Sequence, residues 1–304
     1  MNRFHRYTLI IAVILLGLLA LGLLLRDFIA PLLPSPLSPA FNGERAYQDV
    51  LHQTSLGARI PGSAAHAQVV EWMRSELESA GWQAEVQNSA AMGHPIQNIV
   101  ARRSNQPPQI ILAAHYDSRL VADRDPDPAR RGEPVPGAND GASGVAVLLE
   151  LARRLPSDTV PVWLVFFDAE DNGGLPGWDW ILGSRAFVAG LKYRPQAVVV
   201  VDMVGDADLN IHIERTSDPQ LTFEIWAQAA ALGYENSFIT IPKYNILDDH
   251  TPFLEAGIPA ALLIDFDYPY WHTSADTADK VSAQSLKAVG DTLLAWVIAQ
   301  KGSP

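Results

Sequence analysis

The sequence predicts an α/β fold: a central sheet sandwiched by helices, preceded by one N-terminal transmembrane helix. Three observations lead there. The runs VPVWLVFF at 160–167 and AVVVV at 197–201 are continuously apolar, as strands buried on both faces are. Between and around them lie segments with apolar residues at helical spacing. Before them all, residues 7–25 form a 19-residue stretch without a charge.

Taken in order, that stretch spans roughly 28 Å as a helix, close to the hydrocarbon thickness of a bilayer. Arg3 and Arg6 precede it, so the N-terminus is expected in the cytoplasm and the bulk of the chain outside it. The segment PLLPSPLSPA at 31–40 holds four prolines and reads as an extended spacer. The expected organisation is a cytoplasmic tip and membrane anchor over 1–30, a Pro-rich linker over 31–40, and one catalytic-sized domain over 41–304. In that domain, Val69, Trp72, Met73 and Leu77 predict a helix over 64–80, stopped by Gly81. Residues 96–103 and 109–114 read as strands, 142–155 as a helix, 160–167 and 197–201 as buried strands. Strands at 210–214 and 259–264 and a closing helix at 283–299 complete the pattern. No internal repeat and no second domain is evident.

Composition narrows the function. Lys and Arg number 22 against 34 Asp and Glu, so the net charge is −12, which argues against nucleic acid as a partner. Residues 1–34 contribute +2 (three Arg, one Asp), leaving −14 on the remainder. There is no cysteine, which excludes disulfides, thiolate metal sites and a cysteine nucleophile. Any metal site must use His, Asp and Glu.

Those residues fall at strand ends. His115 and Asp117 follow QIILAA, Glu170 and Asp171 follow VWLVFFDA, Asp202 ends AVVVV, and Asp140 sits in the turn PGANDGAS. Asp248, Asp249 and His250 precede a helical turn, and His272 follows DFDYPYW. In α/β sheets the ligand crevice lies outside the carboxyl ends of the strands. Carboxylates gathered there repel unless a cation lies between them. Imidazoles among carboxylates suit zinc, whereas an all-oxygen calcium site needs no histidine. A serine nucleophile would need a G-x-S-x-G elbow, and GASGV at 141–145 lacks it. The run DRDPD at 123–127 reads as a solvated acidic loop rather than a calcium loop. His52, His66, His94 and His212 are expected as surface or capping residues.

The motifs LGARIPGS (56–63), AAHYDS (113–118), GANDGASGVAVLLELAR (137–153), FFDAED (166–171), VVDMVGD (200–206), DDHTPFLEAGIP (248–259) and YWHTSADT (270–277) resemble the zinc aminopeptidases and the related glutaminyl-peptide cyclotransferases. The resemblance spans about residues 45–300, comes nearest to bacterial glutaminyl cyclases, and implies a mixed central sheet. It implies that Asp140, Asp171 and His272 hold a catalytic zinc. In two-metal aminopeptidases, His115 and Asp202 would hold a second zinc, with Asp140 bridging. Glu170 would be the general base, and Asp117 would orient His115 rather than bind metal.

Two reactions follow from the resemblance: hydrolysis of the first peptide bond, or cyclisation of an N-terminal glutamine to pyroglutamate with release of ammonia. Peptide or protein N-termini are the substrates in both. Asp248 stands where aminopeptidases commonly carry Ser, and with Glu170 and Asp202 it would form a cyclotransferase proton network. Trp271 and Ile246 match positions that shape the cyclotransferase pocket. Either Trp178 or Trp180 is expected to complete that pocket. Cyclisation is therefore the favoured reading, aminopeptidase the alternative, and an inactive binding domain a remote third.

Overall fold

The computed structural model of the chain describes residues 40–300. The anchor expected over 1–30 and nearly all of the Pro-rich linker lie outside the described residues. Among the described residues, no helix is long and apolar enough to cross a membrane.

Two helices open the domain. Helix α1 (Gly43–Ser55) starts where the Asn42 side chain accepts from the Arg45 amide. Helix α2 (Ala64–Ser79) is capped by Ser63 and buries Val69, Met73 and Leu77 of the predicted stripe, with Val70 in addition and Trp72 only half-buried. Gly81 then takes the left-handed conformation that turns the chain into the sheet. Strands β1 (Gln83–Ala91) and β2 (His94–Arg102) form an antiparallel hairpin, and β3 (Ile110–His115) follows. Next come α3 (Ala142–Arg154), β4 (Val162–Phe167), α4 (Leu182–Gly190) and β5 (Ala197–Asp202). The chain ends with β6 (Ile211–Ile213), α5 (Pro219–Ala231), β7 (Phe238–Pro242), the short α6 (Thr251–Glu255), β8 (Ala260–Ile264) and α7 (Ala283–Ala299).

The central sheet has six strands in the order β1-β2-β4-β3-β5-β8. Strands β4, β3, β5 and β8 run parallel, and β2 joins β4 antiparallel, so the sheet is mixed. Every residue of β3 and β4 is buried, which is why their sequences are unbroken apolar runs. Successive residues divide between two cores. Ile110, Leu112, Ala114, Leu164, Phe166, Val199 and Val201 face a core completed by α1, α2, α3, α5 and α7. Ile111, Ala113, Trp163, Val165, Phe167, Val198 and Val200 face the other, with Phe187 of α4 and Phe253 of α6. Each Val, Leu, Ile or Phe among them contributes about 1.5–3 kcal/mol on burial.

The strand expected at 210–214 is present as β6 but does not join the central sheet. It pairs in parallel with β7 in a separate two-stranded sheet. Of its three residues only Ile211 is buried, too little apolar surface for a place between helical layers.

The topology sets the site. From β3 the chain passes to β4 on one side and then returns to β5 on the other. The connections diverge between β3 and β5, opening a crevice at their carboxyl ends. His115 is the last residue of β3 and Asp202 the last of β5.

Candidate metal centre and active site

His115 Nε2 lies 3.0 Å from Asp202 Oδ1 across that crevice and 3.2 Å from Asp140 Oδ1. His272 Nε2 lies 2.7 Å from Asp171 Oδ1 and 3.8 Å from Asp140 Oδ2. Two buried triads result, His115/Asp140/Asp202 and Asp140/Asp171/His272, and Asp140 belongs to both. Asp140 Oδ2 and Asp171 Oδ2 are buried and accept no hydrogen bond. A buried carboxylate oxygen without a donor is costly, and a divalent cation relieves it. The donors, two imidazoles and three carboxylates without sulfur, suit a borderline ion such as zinc. All five sequence-predicted ligands are thus brought together.

The charge state of the cluster agrees. Burial would lower the His115 imidazolium, but Asp202, Asp117 and Asp140 outweigh it and push its pKa well up. Burial, then the neighbouring Asp140, raise Asp171 to about 6. Both shifts arise because negative charge is crowded at one buried point, which is where a cation is favoured.

Asp117 aligns these parts without entering either triad. Its Oδ1 lies 3.4 Å from His115 Nδ1 and accepts from the Glu170 amide at 3.1 Å. Its Oδ2 accepts from the Asp171 amide at 3.3 Å and from Asn172 Nδ2 at 3.4 Å. One carboxylate thereby fixes the His115 ring and the backbone that presents Glu170 and Asp171, the orienting role expected for it.

Backbone strain concentrates here. Of the five non-glycine residues with positive φ among the described residues, Ala169 immediately precedes Glu170, Met203 immediately follows Asp202, and His272 is itself a candidate ligand. Such conformations cost about 1–3 kcal/mol each and cluster at functional sites.

Two supports were not legible in the sequence. Arg59 is completely buried and donates to the carbonyls of Tyr116, Pro136, Gly137 and Asp140, tying the Asp140 turn to the end of β3. A Cβ on Gly137 would lie 2.6 Å from its guanidinium, so that turn requires glycine. Asp276 holds the turn from the other side, accepting from the amides of Asn139 at 2.8 Å and Asp140 at 3.1 Å. The sequence signal for each is its place in a motif, Arg59 in LGARIPGS and Asp276 in YWHTSADT.

A cavity of about 220 Å³ opens onto the triads. Its acidic wall holds Asp140, Glu170, Asp171, Asp202 and Asp248, and its apolar wall includes Trp180, Ile246, Phe266 and Trp271. Both predicted pocket residues are therefore present. Trp271 packs on His272 at 3.8 Å between ring centres. Trp180, not Trp178, joins them; Trp178 stacks on His94 at 3.6 Å and packs beside Ile96 and Leu182. Glu170 and Asp248 are pushed well above the usual carboxylate range, first by burial and then by neighbouring acids. The loop bearing Ile246 and Asp248 is braced by Glu214, which accepts from the Ile246 amide at 3.1 Å and lies 3.3 Å from His250 Nε2. His250 is fully buried there, holding the loop rather than facing the cavity.

Two minor expectations are corrected. His66 is neither a surface nor a capping residue: it is buried, with Nε2 2.8 Å from Asp168 and 3.0 Å from the Tyr116 hydroxyl. Its helical position faces the sheet, where the carboxylate of Asp168 offers it a partner. The DRDPD run is not wholly solvated, because Asp125 is buried and accepts from the Ser274 amide at 3.0 Å, two residues beyond His272.

A crevice at the switch point of a mixed α/β sheet, lined by paired His/Asp triads, is the site of a metal-dependent enzyme. The family model described as Peptidase family M28 matches residues 98–297, and the chain belongs to that family. Among solved structures, it is similar to Porphyromonas gingivalis glutaminyl cyclase, with 33% identity and a TM-score of 0.82 over 86% of this chain and 99% of that one. A Zn-dependent exopeptidase from Parabacteroides distasonis shares 30% identity and a TM-score of 0.81, over 86% and 99% of the two chains. The glutaminyl-peptide cyclotransferase of Boiga dendrophila is 26% identical over 84% of this chain and 81% of its own.

Proposed function

We propose that the chain is a zinc-dependent glutaminyl-peptide cyclotransferase, converting N-terminal glutamine of peptides to pyroglutamate with release of ammonia. The observation that carries this reading is the cavity: Asp248 joins Glu170 and Asp202 on one wall, and Trp180, Trp271, Ile246 and Phe266 form the other. Its small volume suits a single side chain. The apolar wall would take the glutamine methylenes, and the acidic wall would meet the α-amine.

Zinc held by Asp140, Asp171 and His272 would polarise the γ-carbonyl and stabilise the charge that develops on its oxygen. The α-amine nitrogen then bonds to the γ-carbon, and the bond from that carbon to the amide nitrogen breaks. Glu170 takes the proton that the amine loses and delivers it to the departing nitrogen, which leaves as ammonia. A carboxyl raised by burial can run in both directions near neutral pH. Asp248 and Asp202 extend the acidic wall and serve as its proton reservoir. Similarity to bacterial glutaminyl cyclases supports the reading.

The test is to incubate the full chain with zinc and either Gln- or Leu-peptides, following product masses. Loss of one ammonia from the Gln-peptide, without loss of a residue, is expected. Release of a free N-terminal amino acid would instead establish the second reading, a metallo-aminopeptidase. One observation favours that alternative: His115, Asp140 and Asp202 form a second complete triad, the ligand set of a second zinc. Inertness in both assays would support the third reading, a binding domain, against which stands the intact ligand set.

We also propose that residues 1–30 anchor the enzyme, with its catalytic domain outside the cytoplasm. The charge-free run at 7–25 behind Arg3 and Arg6 supports this. Extraction by detergent but not by high salt, and removal of the domain by protease added to intact cells, are the expected results. Recovery in the soluble fraction would refute it.

A further inference from the structure

The acidic wall described above faces the substrate's α-amine. Beside the apolar wall stands a charge of opposite sign. Arg124 packs on Trp271, a residue that lines the cavity, with its guanidinium carbon 5.3 Å from the centre of the ring. Its backbone is fixed as well, since the Arg124 amide donates to the His272 carbonyl at 3.2 Å. The next residue, Asp125, is buried and holds Ser274. The cation therefore stands on a built segment rather than on a loose loop.

Several other basic side chains are already engaged. Arg119 is paired with Asp123 at 2.8 Å, Arg130 with Glu133 at 3.1 Å, and Lys243 with Asp267 at 2.6 Å. Arg131 donates to the Asp125 carbonyl. Among the described residues, the exposed Arg124 side chain has no carboxylate partner and no hydrogen bond; its contact is the face of Trp271. A guanidinium stacked on an indole keeps its donor edge free for a carboxylate. The domain as a whole is strongly acidic and would repel anionic peptides. An unpaired arginine beside the pocket offsets that field at one point.

We propose that Arg124 is a specificity-determining residue, selecting substrates with an acidic side chain directly after the N-terminal glutamine. This rests on the cyclotransferase reading. With glutamine in the cavity, the second residue emerges beside Trp271, within reach of the arginine. A solvent-exposed ion pair of this kind changes affinity by up to about fivefold, and the effect shrinks as salt screens it.

The experiment compares kcat/KM for ammonia release from Gln-Ala-Ala, Gln-Glu-Ala and Gln-Lys-Ala, using the full chain and the variants Arg124→Ala and Arg124→Glu at low and high salt. Wild type is expected to prefer Gln-Glu-Ala over Gln-Lys-Ala by about threefold to fivefold at low salt. Arg124→Ala should level the two, and Arg124→Glu should invert the order while Gln-Ala-Ala changes less than about twofold. An equal loss on all three peptides in both variants would overturn the proposal, leaving Arg124 as a prop for Trp271. So would an unchanged ratio in Arg124→Glu. Wild type that turns over Gln-Ala-Ala without discriminating the charged peptides would overturn this inference alone. Wild type that cyclises none of the three would overturn the underlying reaction too.

Discussion

Trp180 lies nearly parallel to His272, with 13° between the ring planes and 5.9 Å between their centres. Arg119 covers Trp180 at 5.1 Å, and the same guanidinium donates to the carbonyl of Asp171. The aromatic wall of the cavity and the Asp171/His272 pair are therefore one stacked assembly. Trp180→Ala should raise KM for a Gln-peptide about tenfold, the effect of losing roughly 1–1.5 kcal/mol of aromatic packing. Trp178→Ala, which unstacks only His94, should leave KM within twofold. Steady-state kinetics on the two variants checks this; equal KM effects would refute the assignment.

Glu170 should separate from the ligands by its phenotype. Glu170→Gln should bind zinc normally yet lose activity by about 10²–10⁴, the range for a lost general base. His272→Ala and Asp171→Ala should lose the zinc itself. Metal content measured by atomic emission, alongside activity, distinguishes these cases. Zinc retained in His272→Ala would overturn the ligand set.

Asp117→Ala should weaken zinc about 10–100-fold without removing a ligand, because it frees the His115 ring and the Glu170–Asp171 backbone together. Chelator competition reads this directly. Undiminished affinity would show that the sheet ends alone align the ligands.

The Glu214 brace predicts a pH dependence. Burial raises this carboxyl, but hydrogen bonds from His250 and Thr216 outweigh burial and bring it down from 4.5 to about 2. A depressed carboxylate stabilises the fold fully above its unfolded pKa and loses that contribution as pH falls through its folded value. The stability gap between wild type and Glu214→Gln should therefore be widest above pH 4.5 and shrink towards pH 2. Urea melts across that range test it; a constant gap would refute the assignment.

Zinc should also stabilise the fold. Titrating it into chelator-stripped protein should raise Tm progressively, as any ligand of the native state does. In His272→Ala the rise should be largely lost.

What the sequence revealed and what it hid have physical causes. Strands β3, β4 and β5 were legible because helices cover both faces, leaving no polar residue before the terminal His115 and Asp202 to blur the pattern. Strand β1 was not, because QAEVQNSAA lies at the sheet edge and is largely exposed, giving little apolar signal. Helices α1, α4 and α5 and strand β7 also went unread; α1 buries polar Asp49 and Gln53, and β7 buries only Phe238. The metal ligands were legible because each follows a readable strand or sits in a motif. The roles of Arg59, Asp276 and His66 were not, because they act through backbone amides, carbonyls or buried partners distant in sequence, and neither spacing nor residue type marks that. The choice between Trp178 and Trp180 depended on a loop whose conformation no local pattern dictates.

Asp117 leaves a further consequence. The ring of His115 and the backbone of Glu170 and Asp171 are measured from the same two oxygen atoms, at the end of a strand buried on both faces. The reacting groups share a common datum inside the sheet, so loops around the cavity can change length and composition without detuning it. Residues 121–136 and 173–180, which carry Arg124 and Trp180, meet the substrate from outside that datum, so recognition and chemistry are set by different parts of the chain.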